Sequence, residues 1–353
     1  MPVLLDRGPH GSRLFAAAEH MRGMEKPIFR EEDGNCIDLG LINNMPDSAL
    51  EQTERQVLKL LDLAAPDTLI RLKIYALPDV PRGEWGRKHL SRSHYRDIGD
   101  LWNVRLDGLI VTGSEPRAPD LAEEPYWGIL AKVFDWAEHN TTSTILSCLA
   151  VHAAVQHFDG IRRRALNEKC FGVFSFEKAS NHQMVNGIPM QLGVPHSRWN
   201  EVQEHDLISC GYEVLTRAHD AGVDTFTKTK KSLFVFFQGH PEYEAWTLLG
   251  EYRRDIERFL RREQEFYPTM PQGYFDKNST QALNRLRDRA LSNRRVELIK
   301  SFPIDLLTGK LIDPWRSTAA QIYSNWVLRL VARKEQRVRP LRTFVPSDPA
   351  ITS

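Results

Sequence analysis

Residues 144–155 read TILSCLAVHAAV, and this stretch determines how the rest of the chain is interpreted. It opens with a short strand-like run at 144–146 and continues at 150–155 with the small apolar residues typical of a buried helix. Cys148 lies at the abrupt change between the two. A side chain at such a strand-to-helix bend is exposed on a sharp turn, with the first unpaired amides of the helix directed at it.

The position of Cys148 predicts a nucleophile. Unpaired N–H groups and the helix dipole stabilise a thiolate, which is the reactive form of cysteine. The same amides can bind an oxyanion once a carbonyl has been attacked. A cysteine considered alone is more often a small buried hydrophobic residue. A second segment of the chain favours the nucleophile.

That segment, residues 232–242, reads SLFVFFQGHPE. Its aromatic and β-branched residues predict a buried strand, and His240 and Glu242 follow where the strand ends. Residues two apart in extended backbone share a face, so the Glu242 carboxylate can accept the imidazole Nδ1–H and leave Nε2 free as a base. A strand-ending histidine near a solvated glutamate is the simpler alternative. Together with Cys148, however, the pattern predicts a nucleophile, a base and a residue that orients the base.

Strand and helix patterns alternate along the first two thirds of the chain. Buried strands are predicted at 37–42, 69–75 and 106–111, and amphipathic helices at 48–63 and 125–140. The basic and polar segment 82–96 is predicted to be a long solvated loop. Alternation of this kind predicts an α/β fold with a mostly parallel sheet and helices on both faces. Functional residues of such sheets collect beyond the carboxyl ends of the strands. The residues that follow predicted strands are Asn43, Thr112, Cys148 and His240.

Composition restricts the class of protein. The chain has 353 residues, and its 47 lysines and arginines against 46 acids give a net charge of +1. This balance provides no footprint for nucleic acid or an anionic membrane, so no such partner is predicted. The four cysteines show no metal-binding spacing, and no secretory signal or membrane span is recognised. A reducing, cytoplasmic location is therefore expected.

The domain organisation predicted from these patterns has four parts. Residues 1–35 form an N-terminal arm, 36–262 a catalytic domain, 263–340 a C-terminal helical extension and 341–353 a tail. The extension is expected to end in a helix whose apolar stripe packs either on the main domain or on a second subunit. The residues of this stripe are Ile322, Trp326, Val327 and Leu330.

The residues from about 37 to 331 resemble the homoserine O-acyltransferases of methionine biosynthesis, a family that includes O-succinyltransferases and O-acetyltransferases. The blocks that carry the resemblance are Asn44-Met45-Pro46, Asp107 to Gly113, Tyr126-Trp127, Thr142-Ser143-Thr144, Cys148 with Ala150-Val151, Glu168-Lys169 with Gly172-Val173, Pro195 to Arg198, Gly239 to Tyr243, and Trp315-Arg316-Ser317 with Asn325-Trp326. The resemblance implies the fold of class I glutamine amidotransferases with a Cys-His-Glu triad and a C-terminal helical addition. It implies no metal or bound cofactor, acyl-coenzyme A as co-substrate, small-molecule substrates and a homodimer.

The family mechanism implies roles for individual residues. Cys148, with His240 and Glu242, would carry the acyl group as a thioester between coenzyme A and the homoserine hydroxyl. The oxyanion would be bound by the Leu149 amide and by a second amide, assigned to Arg117. The resemblance further implies that Lys169, Ser197 and Arg254 bind substrate, with Arg254 on the amino-acid carboxylate; taken alone, each would be interpreted as an ordinary exposed side chain.

The sequence departs from the family at three places. Asp47-Ser48-Ala49-Leu50 follows Pro46 where the family usually carries a lysine within a Thr-Lys-x-Glu run, and Leu149 follows the nucleophile where tryptophan is common. The position that separates acyl donors is Ala118, or Arg117 in an ungapped register. Neither is acidic, and Arg117 suits a second carboxylate, so succinyl-coenzyme A is expected rather than acetyl-coenzyme A. Serine or a related hydroxy amino acid as acceptor remains open, as do a glutaminase or cysteine hydrolase on the same fold and a non-catalytic binding protein.

Overall fold

A computed structural model describes residues 3–5, 15–16 and 36–338 of the chain. Its strands are β1 (Val3–Leu5), β2 (Phe15–Ala16), β3 (Ile37–Ile42), β4 (Ile70–Tyr75), β5 (Tyr95–Arg96), β6 (Gly108–Val111), β7 (Ser143–Ser147), β8 (Arg164–Lys178), β9 (Gln191–Glu201), β10 (Glu213–Val214), β11 (Thr216–Ala218), β12 (Gly222–Val223), β13 (Thr225–Thr229) and β14 (Leu233–Phe237). Its α-helices are α1 (Leu50–Ala64), α2 (Glu84–Arg92), α3 (Trp127–Asn140), α4 (Leu149–Asp159), α5 (Glu204–Ser209), α6 (Thr247–Leu260), α7 (Lys277–Ser292), α8 (Ile304–Thr308) and α9 (Arg316–Val338). Short 3-10 turns lie at Ile98–Asn103, Leu121–Glu123, Gln183–Val185 and Val296–Ser301.

The main sheet has the strand order β10-β13-β14-β7-β6-β3-β4-β1-β2, with β5 paired to β4. The strands from β14 to β1 in this order are parallel, and β2, β13 and β10 add antiparallel edges. The prediction of a mostly parallel sheet is therefore confirmed.

Two adjacent inner strands, β7 and β14, bring the predicted functional segments together. Every residue of both strands is buried, as expected for parallel strands covered on both faces. Their register pairs Ser147 with Phe237, so both strands end at the same level. The residues that follow them, Cys148 and the segment up to Glu242, therefore start from one edge of the sheet.

Helices cover both faces of the main sheet, as predicted. One face packs against α1 and α9 and the other against α3 and α4. The apolar stripe of α9 is buried against the main domain, which decides between the two alternatives left by the sequence. The helix runs from Arg316 to Val338.

A second sheet with the order β12-β11-β8-β9 stands beside the main sheet. Its long hairpin pairs β8 with β9, and the register shifts between Ala165 and Cys170. A third apolar cluster joins α6 to α7 and α8. Because α6 shares this cluster with the helices that follow it, the domain boundary predicted at 262/263 stays a prediction.

Two segments differ from the sequence-based expectations. The segment 82–96, predicted as a loop, contains α2 and β5 because contacts with α1 fix it: His89 Nε2 lies 2.8 Å from Glu54 Oε1, and the Tyr95 hydroxyl donates to the same oxygen (2.7 Å). Part of the predicted arm, β1, is a buried strand of the main sheet. The rest of 1–35 and the predicted tail at 341–353 lie outside the described residues.

No group of histidine, cysteine, aspartate or glutamate side chains suited to holding a metal ion occurs in the described part of the chain. Nor does any helix of that part combine the length and apolar character needed to span a membrane.

Candidate active site

Cys148 occupies a strained turn between β7 and α4. Its backbone angles are φ 53 and ψ −116, a region that residues with a side chain rarely adopt. The Cys148 amide donates to the Phe237 carbonyl at the end of β14 (2.9 Å), and the Cys148 carbonyl accepts from the Val151 amide in α4 (3.0 Å). These bonds hold the half-buried thiol at the N-terminus of α4.

His240 and Glu242 form a buried pair beside this turn. The imidazole Nδ1 lies 2.8 Å from Glu242 Oε1, and the residues are 3% and 8% exposed. Burial opposes a charged imidazole, but the Glu242 carboxylate and the Cys148 sulfur outweigh it and hold the pKa of His240 well above its usual range. Because the Cys148 amide is bonded to the last residue of β14, the strand that leads to His240, the cysteine and the imidazole lie at one edge of the sheet.

The backbone before His240 is held by a buried carboxylate. The Gly239 amide donates to Asp224 Oδ1 (2.8 Å), and the His240 amide donates to the Pro195 carbonyl (2.9 Å). A Cβ at Gly239 would lie only 2.8 Å from that Asp224 oxygen and 2.9 Å from His196 Nε2. Only glycine fits this close approach, which accounts for its place directly before the histidine.

The segment after Glu242 is anchored by the entry to α9. Tyr243 stacks on the His240 ring, with centroids 4.2 Å apart and an angle of 17°. The Tyr243 carbonyl accepts a hydrogen bond from Trp315 Nε1 (2.8 Å), and Trp315 is 2% exposed. The C-terminal helix thus supports the residues that position the imidazole.

The predicted oxyanion donor Leu149 lies opposite Gly113. A Cβ at Gly113 would lie 2.8 Å from the Leu149 amide nitrogen. The missing side chain of Gly113 therefore leaves room for a substrate oxygen next to that amide.

Arg117 has a different partner from the one that the sequence predicted. Its amide and the Ala118 amide (2.7 Å) both donate to Glu124 Oε1. This buried carboxylate, 3% exposed, already binds the Arg117 amide, so the oxyanion role of Arg117 stays a prediction and requires this bond to break. The Arg117 side chain is exposed on the loop, where its guanidinium can meet a ligand.

Lys169 reaches the site through the irregularity in β8. The register shift between Ala165 and Cys170 inserts extra residues into the hairpin, and such bulges redirect side chains. Lys169 Nζ lies 3.2 Å from Asp255 Oδ2, 3.7 Å from Glu251 Oε2 and 3.9 Å from the centre of the Phe171 ring. The lysine is thus paired with two acids of α6 rather than solvated.

Ser197 and Arg254 join the same cluster. The Ser197 hydroxyl and the Tyr243 hydroxyl both donate to the Glu251 carboxylate. Arg254 Nε lies 2.9 Å from Asp255 Oδ1, and the arginine side chain is 37% exposed. The structure therefore brings together all three residues that the resemblance implied as substrate ligands.

Glu251 and Asp255 were missed in the sequence, although a signal was present. Glu251, Arg254 and Asp255 have the i, i+3, i+4 spacing of one helical face, directly after the segment that carries His240. Glu124 had no comparable signal, because its role depends on a loop that folds back onto it.

Asp47, in the run after Pro46 where the family usually carries a lysine, is bound by the segment around α2. Its carboxylate accepts from the Gly83 amide (2.8 Å) and lies 3.4 Å from Arg82 Nη1. Arg82 donates to the Met45 and Asn43 carbonyls (2.8 and 3.2 Å). A buried arginine from another segment thus supplies a positive charge to this loop.

Comparison with known proteins identifies the family. A family model described as homoserine O-succinyltransferase matches residues 2–337. The chain belongs to the homoserine O-succinyltransferase family. This confirms the resemblance seen in the sequence.

Named members of the homoserine O-succinyltransferase family match most of the chain. The protein of that name from Rhodopseudomonas palustris is 44% identical over 333 residues, which cover 94% of this chain and 99% of the relative. That from Bradyrhizobium japonicum is 44% identical and covers 84% and 91%, and that from Methylococcus capsulatus is 36% identical and covers 96% of each.

Among solved structures, the chain is similar to glutamine amidotransferases. One from Methylobacillus flagellatus has a TM-score of 0.46 at 15% identity and covers 84% of this chain and 95% of its own. One from Thermotoga maritima has a TM-score of 0.44 at 12% identity, with coverages of 84% and 98%.

Proposed function

We propose that this protein transfers a succinyl group from succinyl-coenzyme A to the hydroxyl of L-homoserine, as in methionine biosynthesis, through a thioester on Cys148. One observation carries the proposal: in a member of this family, a cysteine on a strained strand-to-helix turn lies in one site with a buried His240–Glu242 pair. Nucleophile, base and orienting carboxylate are the three groups that acyl transfer by covalent catalysis requires.

In the first half-reaction the Cys148 thiolate attacks the thioester carbonyl of the donor. The oxyanion is bound by the Leu149 amide, beside the space left by Gly113, and by an amide of the turn that follows Gly113. The S–C bond to coenzyme A then breaks, and the imidazolium of His240 protonates the departing thiolate. The acyl group remains on Cys148.

In the second half-reaction His240 acts as a base. Acylation removes the charge of the Cys148 sulfur, which is one of the two influences that raise the pKa of His240 against its burial. The imidazole is neutral after it has protonated coenzyme A, and without the charged sulfur beside it its pKa is lower than before acylation. It takes the proton of the homoserine hydroxyl as that oxygen attacks. The alkoxide attacks the thioester, and the O-acyl product leaves with the Cys148 thiol regenerated.

The cluster on α6 suits the amino-acid end of homoserine. Arg254 presents a planar guanidinium for the α-carboxylate, and Glu251 presents a carboxylate for the ammonium group. Lys169 and Ser197 position Glu251 through the contacts described above. Since Tyr243 joins Glu251 to the His240 ring, this placement brings the acceptor hydroxyl towards the base.

The donor is proposed to be succinyl- rather than acetyl-coenzyme A. The exposed Arg117 guanidinium on the loop beside Gly113 suits the second carboxylate of a succinyl group, and Ala118 adds no negative charge. The names of the relatives support the same donor. A cytoplasmic homodimer is also proposed, and light scattering of the purified protein tests the dimer.

The experiment that tests this function is intact-mass spectrometry after mixing the protein with succinyl- or acetyl-coenzyme A. We expect a mass increase of one succinyl group, located on Cys148 by peptide mapping and lost on addition of homoserine. Cys148→Ala removes the adduct, whereas Cys210→Ser, a change of a half-buried cysteine outside the site, leaves it.

Three results would contradict the proposal: no adduct with either donor, full turnover by Cys148→Ala, or ammonia release from glutamine without acyl transfer. If serine but not homoserine removes the acyl group from Cys148, the acceptor is serine rather than homoserine.

A further inference from the structure

A cavity of about 490 Å³ lies between the start of α1 and α2. It uses none of the triad, oxyanion or homoserine residues described above. Its lining residues are Asp47, Ser48, Glu51, Gln52, Arg55 and Trp85.

The cavity adjoins the catalytic edge of the sheet. Asp47 follows β3, and the Asn44 amide in the same loop donates to Thr112 Oγ1 (2.8 Å), next to Gly113. On the other side, Gln52 and Gln56 of α1 donate to the Thr247 hydroxyl (3.3 and 2.7 Å), five residues after Glu242. The homoserine cluster lies further along α6. The cavity is thus a neighbour of the reaction centre on the flank that the acceptor does not use.

Trp85 gives the cavity a flat aromatic wall. The residue is 50% exposed, and its indole stacks on the His89 ring at 5.1 Å and 13°. His89 is itself held by Glu54 at 2.8 Å. An exposed indole fixed in this way is a prepared surface for a second planar ring.

Arg55 gives the cavity a cation. Its side chain is 46% exposed and lies 3.9 Å from Glu244, which is bound more closely by Lys59 at 2.6 Å. The exposed Arg87 and Lys88 add positive charge to α2, the helix that carries Trp85.

Two acids also line the cavity. Asp47 is compensated by the Gly83 amide and by Arg82. Glu51 remains as an exposed acceptor, which suits the amino group of a purine.

We propose that this cavity binds the nucleotide end of acyl-coenzyme A, with the adenine on Trp85 and a phosphate on Arg55. This inference rests on the proposed function, which supplies the co-substrate. Succinate and homoserine contain no planar ring, so an aromatic wall next to the site serves the only reactant that has one. Stacking and a guanidinium–phosphate contact are the two interactions that a nucleotide uses most readily.

A donor without a nucleotide tests the proposal. Trp85→Ala and Arg55→Ala should each raise KM for succinyl-coenzyme A about tenfold, the effect of losing one stacked base or one phosphate contact. With succinyl-N-acetylcysteamine as donor, kcat/KM should stay at the wild-type value in both variants. Phe266→Ala, at an exposed aromatic residue between α6 and α7, is the control and should change neither donor. Equal losses with both donors, or no loss with either, would overturn the proposal.

Calorimetry separates this proposal from the proposed function. Adenosine 3′,5′-bisphosphate should bind the wild-type protein and the Cys148→Ala variant alike, and should bind Trp85→Ala about tenfold more weakly. If Trp85→Ala and Arg55→Ala bind adenosine 3′,5′-bisphosphate as tightly as the wild-type protein does, the cavity assignment is wrong. The proposed thioester chemistry is not affected by that result. Failure of both donors to acylate Cys148 would instead overturn the proposed function.

Discussion

At Cys148 the backbone adopts a conformation that costs about 1–3 kcal/mol for a residue with a side chain. The φ of 53 turns the chain sharply between β7 and α4, and the bonds to Phe237 and Val151 keep it there. The same strain places the thiol where two neighbouring strands end. A strained backbone of this kind is expected where the position of the side chain serves the reaction rather than the packing of the core.

The charge of Glu242 is expected to set the titration of His240. Burial opposes the imidazolium, and Glu242 together with Cys148 overcomes it, so the pKa of His240 is raised. Glu242→Gln keeps a hydrogen-bond acceptor but removes the charge, so the pKa should fall and the imidazolium should be lost at lower pH. We expect kcat to fall about 100-fold or more, since an unsupported base loses most of its catalytic contribution.

NMR titration of the His240 imidazole and the rate of Cys148 alkylation at neutral pH measure this effect. Alkylation should slow, because fewer molecules hold the thiolate–imidazolium pair. Glu177→Gln, at an exposed glutamate paired with Arg217, is the control. An unchanged titration of His240 would show that Glu242 acts through shape alone.

At the scale of elements, the sheet was predictable and α2 was not. Parallel strands buried on both faces leave continuous apolar runs such as Leu233–Phe237, which the sequence displays directly. Glu84–Arg92 is mostly polar, and its helix is fixed by contacts of His89 with Glu54 on a distant helix. Contacts between residues far apart in the chain cannot be inferred from the local composition of the segment.

The candidate site divides in the same way. Cys148 was predictable because it directly follows a recognisable strand, β7. His240 and Glu242 were predictable because they lie shortly after a second one, β14, and two residues apart. The partner of Arg117 was not, because Glu124 reaches the loop only after the chain has folded back. The bulge that carries Lys169 depends on pairing with β9, which is also a long-range property.

The loop beside Gly113 is expected to depend on Glu124. Glu124→Ala leaves the Arg117 and Ala118 amides without their acceptor and should lower the free energy of unfolding by about 2–4 kcal/mol. Glu124→Gln keeps one acceptor oxygen and should cost about 1 kcal/mol. Both should raise KM for succinyl-coenzyme A and lower the preference for succinyl over acetyl donors, because Arg117 is no longer held in place.

Urea unfolding and kcat/KM for the two donors measure these effects, with KM for homoserine expected to stay constant. Glu123→Gln, at the exposed neighbouring glutamate, is the matched control. If Glu124→Ala keeps the wild-type preference for the succinyl donor, the loop beside Gly113 does not select the donor.

At the scale of the whole molecule, α9 joins the sheet to the catalytic segment. Lys334 pairs with Asp107 below β6 (2.8 Å), and Trp326 packs so closely on Gly108 that a Cβ there would lie 2.7 Å from its ring. At its other end the helix entry binds Tyr243 through Trp315. One helix thus spans the protein from the amino end of the strands to the residues around His240.

This link predicts that Trp315→Phe lowers the rate of catalysis. The same substitution at Trp326, a tryptophan that is equally buried, should leave the rate unchanged. The change removes the Nε1–H that binds the Tyr243 carbonyl and leaves that carbonyl unpaired, at a cost of about 1–3 kcal/mol. Because Tyr243 stacks on His240, kcat should fall several-fold, with little change in KM for either substrate. Trp326→Phe is the matched control, since Trp326 is fully buried and its Nε1 has no hydrogen-bond partner among the described residues. It should lose stability through packing alone and keep kcat, as measured by thermal unfolding and steady-state kinetics. If both variants lose kcat in proportion to stability, α9 supports the fold without positioning the imidazole.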